Sequence, residues 1–167
     1  MTDLRTASAA ETARLVASGE LTARQVTGAA IDRITLHNPR LNAISQRIDD
    51  RARAEADARD AHQSAGGELG PLHGVPLVIK EELAVEGLVT TFGGDANSVP
   101  AAADSEVVRR LRAAGAVVVA TSTMPEFGAF PYTESDSRGI TRNPWATGHT
   151  PGGSSDEPER PTGSAAS

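Results

Sequence analysis

The sequence predicts an α/β fold: an N-terminal helical hairpin followed by the first part of a mixed sheet flanked by helices. Three observations predict it. Two helix-capping boxes open the chain, two compact apolar runs follow at residues 75–79 and 116–121, and a segment with helical periodicity, residues 104–115, separates the runs. Strand, crossover helix and strand in that order pair in parallel through a right-handed βαβ unit.

The first box joins Ser8 to Glu11 and the second joins Thr22 to Gln25, each side chain placed to satisfy the other's orphan backbone N–H. Gly19 stops the first helix. Asn38-Pro39 is expected to end the second, because the residue before proline is pushed out of the helical region, and Val26, Ala30 and Ile34 mark its buried stripe. Residues 41–48 alternate weakly and read as a strand. Residues 49–63 are helical by propensity, with an apolar face made only of alanine and with Glu55 and Arg59 spaced to pair. A Gly-rich turn then leads into Val75-Pro76-Leu77-Val78-Ile79, whose unbroken apolar character predicts a strand buried on both faces. In the crossover segment Asp104 is expected to cap, Glu106 lies in the first turn, Arg109, Arg110 and Arg112 lie late, and Gly115 terminates. Val107, Val108, Leu111 and Ala114 form its apolar stripe. Past Met124 the prolines and glycines predict loops, and the last dozen residues have a disordered composition.

Composition narrows the class. Five aromatic residues in 167 leave any core to Val, Leu, Ile and Ala, so marginal stability is expected. The absence of cysteine removes disulfides, thiolate nucleophiles and Cys-type zinc sites, and a reducing compartment, the cytoplasm, is the expectation. No apolar run approaches the roughly 20 residues of a membrane helix, so no membrane partner is expected. A formal charge of −6, with a single lysine among sixteen basic residues, opposes nucleic-acid binding. His37, His62, His73 and His149 are scattered without ligand spacing, so no metal and no cofactor is implied.

The single lysine is Lys80, at the end of the first apolar run, and a strand terminus in an α/β sheet is where reacting groups are usually presented. A lysine in apolar surroundings gives up its proton more easily and can serve as a general base. Equally, a strand-end lysine can reach solvent and pair with Glu81 or Glu82. A second candidate is Thr150-Pro151-Gly152-Gly153-Ser154-Ser155, where two glycines free the backbone and expose consecutive hydroxyls. A flexible linker has the same composition. It lacks the surroundings of a nucleophile elbow and, with no lysine after its glycines, it is not a phosphate-binding loop.

The two candidates together are recognisable. Residues 70–81, Gly-Pro-Leu-His-Gly-Val-Pro-Leu-Val-Ile-Lys-Glu, resemble the lysine segment of the amidase-signature family. Thr90-Thr91-Phe92-Gly93, the helix ending in Gly115-Ala116, Met124-Pro125-Glu126-Phe127, Thr141-Arg142-Asn143-Pro144-Trp145 and Thr150-Pro151-Gly152-Gly153-Ser154-Ser155 recur in that family's order and at similar spacing. The resemblance covers residues 4–155. It implies a Ser/cis-Ser/Lys triad acting on small-molecule amides, with Lys80 as the acid/base group and Ser154 as the relay serine, held by a cis bond after Gly153. Gly152, Gly153 and Ser155 would form the supporting loop. The histidine equivalent to His73 belongs in the family to the loop before the lysine strand, so His73 is expected to be structural.

Two departures qualify what the resemblance implies. After Ser155 the family continues with glycines and an Ala-rich helix, whereas here Asp156-Glu157-Pro158-Glu159-Arg160-Pro161 follows, which forbids that helix. Residues 1–155 are therefore expected to be the N-terminal part of an amidase domain and residues 156–167 a non-matching tail of the kind a frame shift, a premature stop or a gene-model error leaves behind. The family's nucleophilic serine lies about two dozen residues past the relay, beyond Ser167, so the chain is expected to lack its nucleophile and to be inactive alone. A homo-oligomer is allowed for the full-length enzyme. The alternatives are the glutaminase-type subunit of a tRNA-dependent amidotransferase, which usually carries an Asp before its Glu-Phe where this chain has Pro125, and a non-catalytic remnant with unpaired strand edges.

Overall fold

The computed structural model describes residue 4 and residues 6–152, and within them the expected α/β order is present. Helix α1 (Ala9–Ala17) starts at Ser8, whose hydroxyl accepts from Glu11 N–H, and stops at Gly19 with φ 75°. Glu11 does not close the box; its carboxylate turns to Arg14, which holds it below the usual carboxylate range. Helix α2 (Ala23–Leu41) carries the complete Thr22–Gln25 box. Its first amides gain a further acceptor, the Asp60 carboxylate, at 2.7 Å from Ala23 N and 3.0 Å from Arg24 N.

The stop expected at Asn38-Pro39 does not occur. Pro39 lies within α2, which runs on to Leu41 and ends where Asn42 takes the left-handed conformation, φ 51°. Asn38 contributes differently: its Oδ1 accepts from both Ala43 N and Ile44 N at 2.8 Å and turns the chain into β1 (Ile44–Arg47). Helix α3 (Asp49–Ser64) buries only Ala52 and Ala56, as its composition requires. The Glu55–Arg59 pair does not form. Glu55 instead pairs with Arg51 at 3.0 Å and with Arg112, while Arg59 donates to the Arg112 carbonyl at 2.8 Å.

Strand β2 (Pro76–Lys80), helix α4 (Glu106–Ala113) and strand β3 (Val117–Ser122) complete the βαβ unit. Asp104 does not cap α4; the N-cap is Ser105, and Asp104 accepts from Glu86 N and pairs with Arg112 at 2.9 Å. That second task is available because Arg112 is largely buried and needs carboxylates on both sides. The sheet order is β1-β3-β2, with β2 parallel and β1 antiparallel to β3. Val117, Val119 and Ala120 pack on Val16, Val26, Ile31, Ala52 and Ala56 on one face, while Val118 packs with Ile79, Val85 and Val108 on the other. Burial on both faces therefore describes β3 but not β2, which is an edge strand with Val78 43% exposed.

The segment after Met124 is also more structured than its composition suggests. A short 3-10 turn at Glu126–Gly128 precedes a hairpin of Glu134–Ser135 and Gly139–Ile140. Asn42 anchors the hairpin, donating from Nδ2 to the Arg138 carbonyl at 2.7 Å and accepting at its own carbonyl from Thr141 Oγ1 at 2.8 Å.

Candidate active site

Lys80 is the last residue of β2 and stands in register with Ser122, the last residue of β3, so both parallel strands deliver their C-terminal ends to one place. Its main chain is pinned there: Glu81 N donates to the Ser122 carbonyl at 3.2 Å and Leu83 N to the Lys80 carbonyl at 3.0 Å. The side chain is 22% exposed, and Nζ lies 3.3 Å from Glu82 Oε1, a partly exposed ion pair of little energetic weight. Pairing with Glu82 and placement at the strand terminus thus coexist.

Glu81 is the residue that sequence reasoning undervalued. It is only 1% exposed, and its carboxylate accepts from Ser45 Oγ at 2.6 Å, from Met124 N at 3.0 Å and from Thr91 Oγ1. Three segments distant in sequence therefore meet at one carboxylate: β1, the Thr90-Thr91-Phe92-Gly93 motif and the Met124-Pro125-Glu126-Phe127 motif. A signal was present in the alternation, since Glu81 follows Ile79 by two residues and a strand's period of two puts both on the buried face.

The two motifs joined by Glu81 also touch directly. Phe127 N donates to the Phe92 carbonyl at 2.8 Å, and the two rings stack with centroids 6.3 Å apart. Both phenylalanines have φ 52°, the left-handed region that non-glycine residues seldom occupy and that concentrates at functional sites. Gly93, φ 82°, has no alternative residue, because a Cβ there would lie 2.6 Å from the Met124 carbonyl oxygen.

Gly152 is the last described residue of the second candidate loop, with φ 81° and its N–H toward Thr150 Oγ1 at 3.4 Å. Gly153, Ser154 and Ser155 lie outside the described residues, as does the bond expected to be cis. His73 is buried, and burial together with the Arg59 charge lowers its pKa from 6.5. It precedes β2 by three residues and Lys80 ends β2, so a strand rise of about 3.3 Å per residue separates them by more than 13 Å along the strand. An apolar groove of about 280 Å³ runs between α2 and the β2 edge, lined by Ile34, Leu41, Ile44, Pro76 and Val78; Lys80 does not border it. Among the described residues no group of three or more acidic or histidine side chains could hold a metal, and no helix is long and apolar enough to cross a membrane.

The chain is similar to several known proteins. The chain is 47% identical over 154 residues to the putative amidase AmiB2 of Mycobacterium tuberculosis, covering 92% of this chain and 33% of that protein. It is 46% identical over 156 residues to a glutamyl-tRNA(Gln) amidotransferase subunit from Salinispora arenicola, covering 92% and 32%. Against an indoleacetamide hydrolase of Bradyrhizobium diazoefficiens it is 42% identical over 149 residues, covering 89% and 28%. A solved bacterial aryl acylamidase of the amidase-signature enzymes superposes with a TM-score of 0.83 at 31% identity, covering 90% of this chain and 32% of that one. The chain thus spans about a third of the length of these relatives. The family described as Amidase matches residues 25–166, a stretch that continues past residue 155, and this chain belongs to that family.

Proposed function

We propose that this chain supplies the acid/base part of an amidase that hydrolyses linear carboxylic amides to acid and ammonia or amine by a Ser/cis-Ser/Lys mechanism. The observation that carries the reading is the position of Lys80, at the joined C-terminal ends of two parallel strands within the stretch matched to the family Amidase. A nucleophilic serine attacks the amide carbon and passes its proton to the relay serine, Ser154, whose own proton moves to the Lys80 amine acting as the base. Collapse of the tetrahedral intermediate breaks the C–N bond while the lysine returns the proton, through the relay, to the departing nitrogen. Water then cleaves the acyl-serine by the same route in reverse.

In this reading Gly152, Gly153 and Ser155 support the relay loop, and the family resemblance assigns the nucleophile to a serine other than those of this loop. The amidase part ends at residue 155 and residues 156–167 form the tail, within a family match that runs to residue 166. Removing oxyanion donors alone costs about 100-fold to 1000-fold, and losing the nucleophile removes the covalent route, so the chain by itself is inactive. The cytoplasm is its compartment, and its partner is a small amide.

The test is ammonia release from a panel of aliphatic and aryl amides and glutamine by the purified chain, with Lys80→Ala beside it. No turnover by either protein is expected. Turnover abolished by Lys80→Ala would mean that a serine within these residues acts as nucleophile; turnover surviving Lys80→Ala would overturn the role given to the lysine. Glutamine as the sole substrate would favour the amidotransferase reading, whose relative is nearly as similar as the amidase.

A further inference from the structure

We propose that Glu81 is a positioning residue for Lys80: its carboxylate ties together the segments around the end of β2 and so holds the lysine in one orientation. The proposal rests on the reading of Lys80 as the acid/base group. Burying a carboxylate is costly unless hydrogen bonds replace its water, and Glu81 is buried on three neutral donors, the Ser45 and Thr91 hydroxyls and the Met124 amide. Each donor belongs to a different segment, and each segment borders the strand end: β1 pairs with β3, Thr91 opens the loop carrying Phe92, and Met124 follows β3. Adjacent strand residues project to opposite faces, so the carboxylate grips from the buried side while the lysine is left on the other side for chemistry. The ion pair with Glu82 cannot do the same work, since Glu82 is 43% exposed and such pairs contribute little.

Lys80 is the only lysine, so lysine labelled with carbon-13 at Cε reports on this side chain alone. A held side chain gives two distinct Hε proton shifts, whereas a freely rotating one gives a single averaged shift. Two resolved shifts are expected in the native chain, and a single one in Glu81→Ala. Glu82→Gln is expected to keep the shifts resolved. Val108→Ala, a core truncation on the α4 face with a comparable loss of thermal stability, is expected to keep them resolved too, which separates positioning from general destabilisation. If Glu81→Ala loses its cooperative thermal transition, Ser45→Ala with Thr91→Val removes two of the three ties and takes its place, with the same averaged signal expected. An averaged signal in the native chain, resolved shifts once the ties are removed, or averaging in Glu82→Gln or Val108→Ala would each overturn the proposal. No turnover is measured, so failure of the hydrolysis reading leaves this result separately legible.

Discussion

Strands β2 and β3 lie side by side in parallel and are written in nearly the same alphabet, Pro-Leu-Val-Ile-Lys and Val-Val-Val-Ala-Thr-Ser, yet their surroundings are opposite. Five of the six residues of β3 are buried, between α2 and α3 on one face and the α4 layer on the other. β2 keeps only Ile79 buried and turns Val78 to the outside. An apolar run therefore states that a segment can be buried and leaves open whether a neighbour exists to bury it. The difference also divides labour: β3 supplies the stability, and β2, paired along one edge among the described residues, carries the lysine.

The largest effect should come from the buried strand. Val118→Ala removes two methyl groups from a site with no exposure, packed on Ile79, Val85 and Val108, and should cost about 2 kcal/mol, a midpoint shift of roughly 4–8 °C in thermal unfolding. With so few aromatic residues in the core, that is a large share of the total stability. A shift below about 1 °C would mean that β3 is not the centre of the core.

A smaller effect should appear where the two strands begin. His73 enters β2 and Gly115 enters β3, and a Cβ on Gly115 would lie 2.7 Å from His73 Cα, so the imidazole is sealed in by a backbone contact that only glycine permits. Its Nε2 has no hydrogen-bond partner among the described residues. Burial favours the neutral ring, so the folded pKa lies below 6.5 and the unfolded chain binds the proton more readily. The stabilisation is full above pH 6.5 and is lost as the pH falls from 6.5 to the lower folded value, below which the loss is complete. Thermal melts of the native chain and His73→Gln across that window should show the native chain losing more stability on acidification; parallel curves would mean the ring is open to water.

The comparison also shows how much was legible beforehand. The βαβ order, the helical hairpin and the Thr22–Gln25 box depend on local pattern, and local pattern is what a sequence displays. Lys80 was legible because it is the single lysine and ends an apolar run. What escaped depends on partners remote in sequence. Asp104 left the cap position because Arg112 needed it, Glu55 chose Arg112 over Arg59, and Pro39 was carried inside α2 while Asn42, tied to a hairpin almost a hundred residues away, set the true end. Glu81 escaped for the same reason, since its three donors come from three segments and no spacing within any one of them announces the meeting.

The smallest effect should come from the edge strand, and it is the sharpest check on the comparison. Val78→Ala makes the same chemical change as Val118→Ala, two methyl groups, at a side chain 43% exposed at the rim of the apolar groove. Partial exposure leaves less area to lose, so the cost should stay within about 0.5 kcal/mol, a midpoint change of roughly 1–2 °C. The two substitutions differ only in whether a neighbour covers the strand, so the gap between their melts measures that covering. If Val78→Ala cost as much as Val118→Ala, the edge would have to be covered in solution. The N–H and C=O groups on the side of β2 that has no strand partner among the described residues make edge-to-edge pairing with a second copy the first route to such covering. Sedimentation at two protein concentrations decides it: a monomer at both, with the small Val78 effect, keeps the contrast between the strands, whereas a dimer that weakens in Val78→Ala would make β2 a second buried strand.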